Sequence, residues 1–142
     1  MKNTKNMNIL LVEDNEGDIL LTTETLEEGE FTNNLSIVKD GKQAIDFLSG
    51  RGKFAGTDLP DLILLDINMP KINGYEVLLH IKGSDRLKQI PVVMLTTSSS
   101  RQDTIFCQKN LANGYIIKPL EVKNFRALLQ ELRSKGVMSP VS

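Results

Sequence analysis

Residues 61–70 read Asp61-Leu62-Ile63-Leu64-Leu65-Asp66-Ile67-Asn68-Met69-Pro70. The four apolar residues Leu62 to Leu65 are too few for a helix and show no period-two alternation. They read as a strand buried on both faces, the kind found at the centre of a parallel sheet. The run ends in Asp66, and Pro70 with Asn73-Gly74 supplies a turn directly after it. Open α/β sheets place ligands and chemistry just past the carboxyl ends of their strands. Taken alone, Asp66 reads more simply as a turn cap. The ends of three other strands change that reading.

On the amino-terminal side, Ile9 to Val12 is a short apolar strand ending in Glu13-Asp14. Asn15 caps a helix that runs to about Glu28, with Ile19, Thr23 and Leu26 on its inner face and Gly29 stopping it. Leu35 to Val38 is a second strand. Asp40 caps a helix with Ala44, Ile45 and Leu48 as its apolar stripe and Gly50 at its end. The ten residues Arg51 to Pro60 form a link longer than the usual ~2–6 between helix and strand, either a family insertion or a partner contact.

On the carboxyl-terminal side, Tyr75 to Ile81 is helical with Val77, Leu78 and Ile81 inward, and Val92 to Leu95 is the fourth strand. Thr96-Thr97-Ser98-Ser99-Ser100 follows, all hydroxyls, and then a helix from Arg101 to Leu111. Tyr115 to Ile117 is the fifth strand, closed by Lys118-Pro119. The last helix, Val122 to Leu132, buries Val122, Phe125, Leu129 and Leu132. Five strands alternating with five helices predict a doubly wound, five-stranded parallel sheet of flavodoxin-like (βα)5 type. A closed barrel of eight such units would need about 250 residues. Residues 1–8 read as a flexible leader, 9–133 as the domain and 134–142 as a flexible tail.

Composition narrows the function classes. The 142 residues balance 17 basic against 18 acidic side chains, so no bulk charge favours nucleic acid or an anionic membrane. A single cysteine, Cys107, allows no internal disulfide and fits a reducing cytoplasm. No apolar run approaches the ~20 residues of a membrane span.

Four of the five expected strands end in a charged or reactive residue: Glu13 and Asp14, then Asp66, Thr96 and Lys118. On a parallel sheet these ends share one rim. Carboxylates held within a few ångströms repel one another, and a hard divalent cation such as Mg²⁺ relieves this by taking oxygen ligands. Such a cation keeps Asp66 ionised while screening an incoming phosphoryl group. Lys118 adds a positive point charge and Thr96 a hydroxyl donor. The combination matches phosphoryl transfer to an aspartate, which needs positioning and charge stabilisation above all.

Val12-Glu13-Asp14-Asn15, Asp66-Ile67-Asn68-Met69-Pro70, Asn73-Gly74, Pro91-Val92-Val93-Met94-Leu95-Thr96 and Tyr115-Ile116-Ile117-Lys118-Pro119 together resemble the receiver domains of two-component response regulators. The likeness extends over Asn8 to Arg133. It looks closest to free-standing receivers that partner phytochrome-type and related hybrid sensor kinases, on the strength of Glu13 to Asp18, the 51–60 loop and Leu95-Thr96-Thr97-Ser98. The chain departs from the family at Leu111, where a glycine is usual, and in its short polar tail.

The resemblance implies that Asp66 accepts a phosphoryl group from a phosphohistidine on a sensor histidine kinase. Asp14, Asp66 and the main-chain carbonyl of Asn68 would hold Mg²⁺, with Glu13 acting through water. Thr96 and Lys118 would contact the phosphoryl oxygens, and Tyr115 would swing inward as Thr96 moves. A downstream protein is expected but not identified, the charge balance and the lack of a long apolar run leave no nucleic-acid or membrane partner, and the face of the fourth helix, fifth strand and fifth helix is the candidate surface for a homodimer contact. Asn68 and Ser98 lie near the expected path of attacking water. The chain is expected not to be an enzyme in the turnover sense.

Two other classes compete. A phosphatase of the haloacid-dehalogenase kind shares the strand-end Asp and Mg²⁺, but needs an acid two residues on, where this chain has Asn68. A passive scaffold would need none of Asp14, Asp66, Thr96 or Lys118. His80, the single histidine, reads as a surface helix residue, and Cys107 as a small core filler. Ser98 to Ser100 serve as loop and helix cap. Asp58 and Asp61 flank the strand entrance, the wrong end of the sheet for this chemistry.

Overall fold

The computed structural model describes residues 7–32, 34–67, 73–97 and 112–137. Strands β1 (Asn8–Val12), β2 (Asn34–Val38), β3 (Leu62–Asp66), β4 (Val92–Thr96) and β5 (Gly114–Ile117) form one sheet in the order β2-β1-β3-β4-β5. Every neighbouring pair is parallel. Helices α1 (Glu16–Glu28), α2 (Gly41–Ser49), α3 (Gly74–Lys82) and the C-terminal α4 (Val122–Ser134) complete the described elements. The helix expected over Arg101 to Leu111 lies outside the described residues, as do Asn68, Ser98 to Ser100 and Cys107.

The strand order follows from how apolar each strand is. β3 and β4 are buried at all five positions and β1 at four, so these three take the centre. β2 and β5 mix polar and half-buried positions and take the edges, where one side of the ladder meets solvent. Because strand side chains alternate in direction, the central strands feed two separate cores. Leu10, Ile63, Leu65, Val92 and Met94 face α2 and α3 through Ala44, Phe47, Leu48, Val77, Leu78 and Ile81. Ile9, Leu11, Leu62, Leu64, Val93 and Leu95 face α1 and α4 through Leu26, Phe125, Leu129 and Leu132. Phe31 meets Phe125 edge-on at 4.8 Å in this second core, a favoured aromatic geometry.

The structure adjusts several boundaries. β1 begins at Asn8, β4 runs on to include Thr96, and α4 continues to Ser134. In α2 the buried partner of Ala44 and Leu48 is Phe47, with Ile45 half-buried. In α1, Thr22 is buried where Thr23 was expected. The long link after α2 contains a short 3-10 turn, Gly52–Phe54, and Phe54 lies against Phe47 with ring centres 5.2 Å apart. Phe54 and Leu59 thereby roof the first core, which gives part of this loop a packing role. His80 is exposed, as expected. No helix among the described residues is long and apolar enough to cross a membrane.

Candidate functional site

In the order β2-β1-β3, the chain goes to one side after β1 and to the other after β3. The gap between the ends of β1 and β3 is therefore the topological switch point, where doubly wound sheets bind ligands. Register brings Val12 beside Leu65, so Glu13 and Asp66 emerge next to each other. Glu13 is held as if in the strand by its N–H, which donates to the Val38 carbonyl at 3.0 Å. On the other side Asp66 pairs with Leu95 and Ile67 N–H donates to the Leu95 carbonyl, placing Thr96 at the adjoining strand end. Lys118 follows β5, and its N–H donates to the Thr96 carbonyl.

Glu13, Asp14, Asp66, Thr96 and Lys118 thus reach one rim. An open cleft of about 430 Å³ is lined by Glu13, Asp14, Asp18, Asp66 and Lys118, among others. Glu13 and Thr96 are fully buried and Asp66 is 4% exposed, whereas Asp14 stands in solvent. One carboxylate oxygen each from Glu13, Asp14 and Asp66 lie within 4.8 Å of one another. Lys118 Nζ lies 2.6 Å from Glu13 Oε1, 2.9 Å from Asp18 Oδ2 and 3.4 Å from Asp66 Oδ1. The Glu13 contact is a short ion pair between a buried carboxylate and a mostly buried ammonium. Burial alone would lower the Lys118 pKa. The contacts with Glu13 and Asp18 and the charge of Asp66 outweigh it and hold the ammonium above the ordinary lysine value.

Tyr115 stands in β5 opposite Met94, half-buried against the first core. Asn68 lies outside the described residues. Asp58 and Asp61 fall at the opposite end of the sheet, where Asp61 Oδ2 accepts from Asn8 N–H at 2.8 Å. The donor set at the rim is all oxygen and mostly carboxylate, with three carboxylates close enough to share one ion. That chemistry fits a hard divalent cation rather than a soft one.

Two residues matter here that sequence reasoning passed over. Asp18, in the first turn of α1, accepts a hydrogen bond from Lys118 Nζ at 2.9 Å. Gly74 was read as a turn residue. Asn73 in fact caps α3 through Glu76 N–H, and Gly74 N–H donates to the Ile67 carbonyl at 2.9 Å. A Cβ on Gly74 would sit 2.3 Å from the Asp66 carbonyl oxygen and 2.7 Å from Ile67 Cα, so only glycine lets α3 start against the end of β3.

Comparison with known proteins agrees with this geometry. The sequence profile of the response regulator receiver domain matches residues 9–130. The probable methanogenesis regulatory protein FilR2 of Methanothrix harundinacea is 42% identical over 125 residues, 88% of this chain and 80% of its own. Response regulator Rcp1 of Synechocystis is 40% identical over 126 residues, 89% of this chain and 86% of its own. The crystal structure of the Mn²⁺-bound form of response regulator Rcp1 superposes with a TM-score of 0.77 at 38% identity, over 96% of this chain and 98% of that one. The phosphorylated cyanobacterial phytochrome response regulator RcpA gives 0.78 at 38% identity, covering 90% of this chain and 92% of that one. Nothing in these likenesses favours a haloacid-dehalogenase phosphatase. With its five-stranded sheet, its acid-lined switch point and a match spanning residues 9–130, the chain belongs to the response regulator receiver domain family.

Proposed function

We propose that Asp66 is the phosphoryl acceptor of this receiver, charged by a sensor histidine kinase of phytochrome-associated or hybrid type. The observation that carries the reading is the setting of Asp66. It is a nearly buried carboxylate at a strand end, within 4.8 Å of two other carboxylates and 3.4 Å from an ammonium. In the transfer, Asp66 Oδ attacks phosphorus, the P–N bond to the donor imidazole breaks, and the imidazole leaves with the electron pair. Asp14, Asp66 and the Asn68 carbonyl would hold Mg²⁺, with Glu13 reaching it through water. Bound there, the cation supplies positive charge to the phosphoryl oxygens as they approach an acidic rim. The Mn²⁺-bound form of Rcp1 supports a divalent ion in such a fold.

Lys118 and Thr96 then contact the phosphoryl oxygens. The phosphoryl group brings about −1.5 to −2 charges to the rim. Drawing Lys118 and Thr96 onto it shifts the strand β4 end and opens room beside Tyr115, which is the switch. Moving such an element from mostly off to mostly on takes about 5.5 kcal/mol, within reach of a few charge-assisted hydrogen bonds and the cation. Leu20 and Leu21 lie exposed on α1, the helix that also brings Asp18 to the cleft, and would give a kinase domain an apolar foothold. The output is a changed binding face for a further protein, working in the cytoplasm without steady turnover of its own. The surface along β5 and α4 is the candidate for that partner or for a second copy.

The test is intact-protein mass after incubation with acetyl phosphate and Mg²⁺. Wild type gains one phosphoryl group and Asp66→Asn does not. Equal labelling of both, or of neither, overturns the assignment.

A further inference from the structure

Asp18 reaches the Lys118 ammonium from a helix rather than from a strand end, and the way it is freed to do so is specific. Asn15-Glu16-Gly17-Asp18 has the spacing of a capping box, in which the fourth side chain folds back onto the N–H of the first. Half of that box forms, since Asn15 Oδ1 accepts from Asp18 N–H at 2.9 Å. The reciprocal half does not. Asn15 N–H donates to Glu13 Oε2 at 3.3 Å, and the Asp18 carboxylate turns to Lys118 Nζ at 2.9 Å. An ammonium has three N–H donors in a compact point charge. With Asp18 and Glu13 at 2.9 and 2.6 Å, it stays 3.4 Å from Asp66, too far for a short charge-assisted hydrogen bond.

We infer that Asp18 is a positioning residue that holds Lys118 back from Asp66, so that the ammonium does not compete with a divalent cation for the acceptor carboxylate and stays poised for an incoming phosphoryl oxygen. The inference rests on Asp66 as acceptor and adds a regulator of the same site. Without the Asp18 charge the ammonium closes onto Asp66, and that ion pair competes with the cation for the same oxygens. Asn at position 18 keeps the size and an acceptor oxygen but loses about half the strength of a charge-assisted bond.

Calorimetric titration of Mg²⁺ into the full chain, with no phosphoryl donor, tests this in a double-mutant cycle. Asp18→Asn weakens Mg²⁺ binding about tenfold, equivalent to about 1.4 kcal/mol. Asp18→Glu restores part of the affinity. In a Lys118→Met background the same Asp18→Asn change has a much smaller effect, reduced to through-space charge screened by salt. With acetyl phosphate, Asp18→Asn raises the Mg²⁺ concentration for half-maximal labelling more than it lowers the rate at saturating Mg²⁺. An unchanged Mg²⁺ affinity in Asp18→Asn, or an equal loss in both backgrounds, overturns the role. Thermal melts of each variant confirm folding, and a loss of affinity matched by a collapse of the melting temperature in both Asn and Glu variants also counts against it. Failure of the acceptor reading looks different: Asp66→Asn would label like wild type while the Asp18–Lys118 coupling persisted.

Discussion

The two ends of the same sheet carry similar polar residues and do opposite things with them. At the amino-terminal end, Asn8 N–H donates to Asp61, Asn34 Nδ2 donates to Asn8 Oδ1 at 2.8 Å, and the Thr32 hydroxyl donates to the Met7 carbonyl. Asp61 is exposed and exchanges hydrogen bonds with the Asn8 main chain, its carboxylate accepting from Asn8 N–H and its own N–H donating to the Asn8 carbonyl. At the carboxyl end Asp66, five residues further along the chain and bounding the same strand, is nearly buried beside Glu13, Asp14 and Lys118. Residue type does not separate the two aspartates. Burial and concentrated like charge do, because a carboxylate held among carboxylates in low dielectric is relieved by binding something positive.

The largest expected contrast lies in chemistry. Asp66→Asn removes phosphoryl labelling altogether, while Asp61→Asn labels as wild type, read by intact mass. Labelling lost in both would erase the distinction between the ends. Next comes the cation: Mg²⁺ at a hundredfold excess over its Kd stabilises the fold by about 2.7 kcal/mol. The resulting rise in melting temperature survives Asp61→Asn and shrinks strongly in Asp14→Asn. A third variant probes the frame of the acidic end without touching its charges. Gly74→Ala forces a methyl into the Asp66 carbonyl and costs about 1–3 kcal/mol in denaturant unfolding, with weaker Mg²⁺ binding. Smallest of all is the stability change for Asp61→Asn, within about 0.5 kcal/mol, since the amide oxygen still accepts from Asn8 N–H.

The apolar runs alone were enough to read the five strands and the end of the sheet on which Glu13, Asp14, Asp66, Thr96 and Lys118 gather. Strand polarity puts carboxyl ends together whatever the loops do, so the rim needed no knowledge of packing. The helix faces were less legible. Phe47 displaces Ile45 because the 51–60 loop folds back and offers Phe54 as a partner, a contact that no local periodicity encodes. Asp18 was hidden for a related reason: its spacing from Asn15 suggests a closed capping box, and only the three-dimensional reach of Glu13 opens it. Gly74 looked like any turn glycine until the distance to the Asp66 carbonyl was known.

That junction has one more consequence. With no side chain between helix α3 and the end of β3, main chain rests on main chain, and the height of Asp66 above the sheet is set by peptide geometry. Both cores can then drift through many apolar sequences, swelling here and shrinking there, while the Asp66 carboxylate keeps its station.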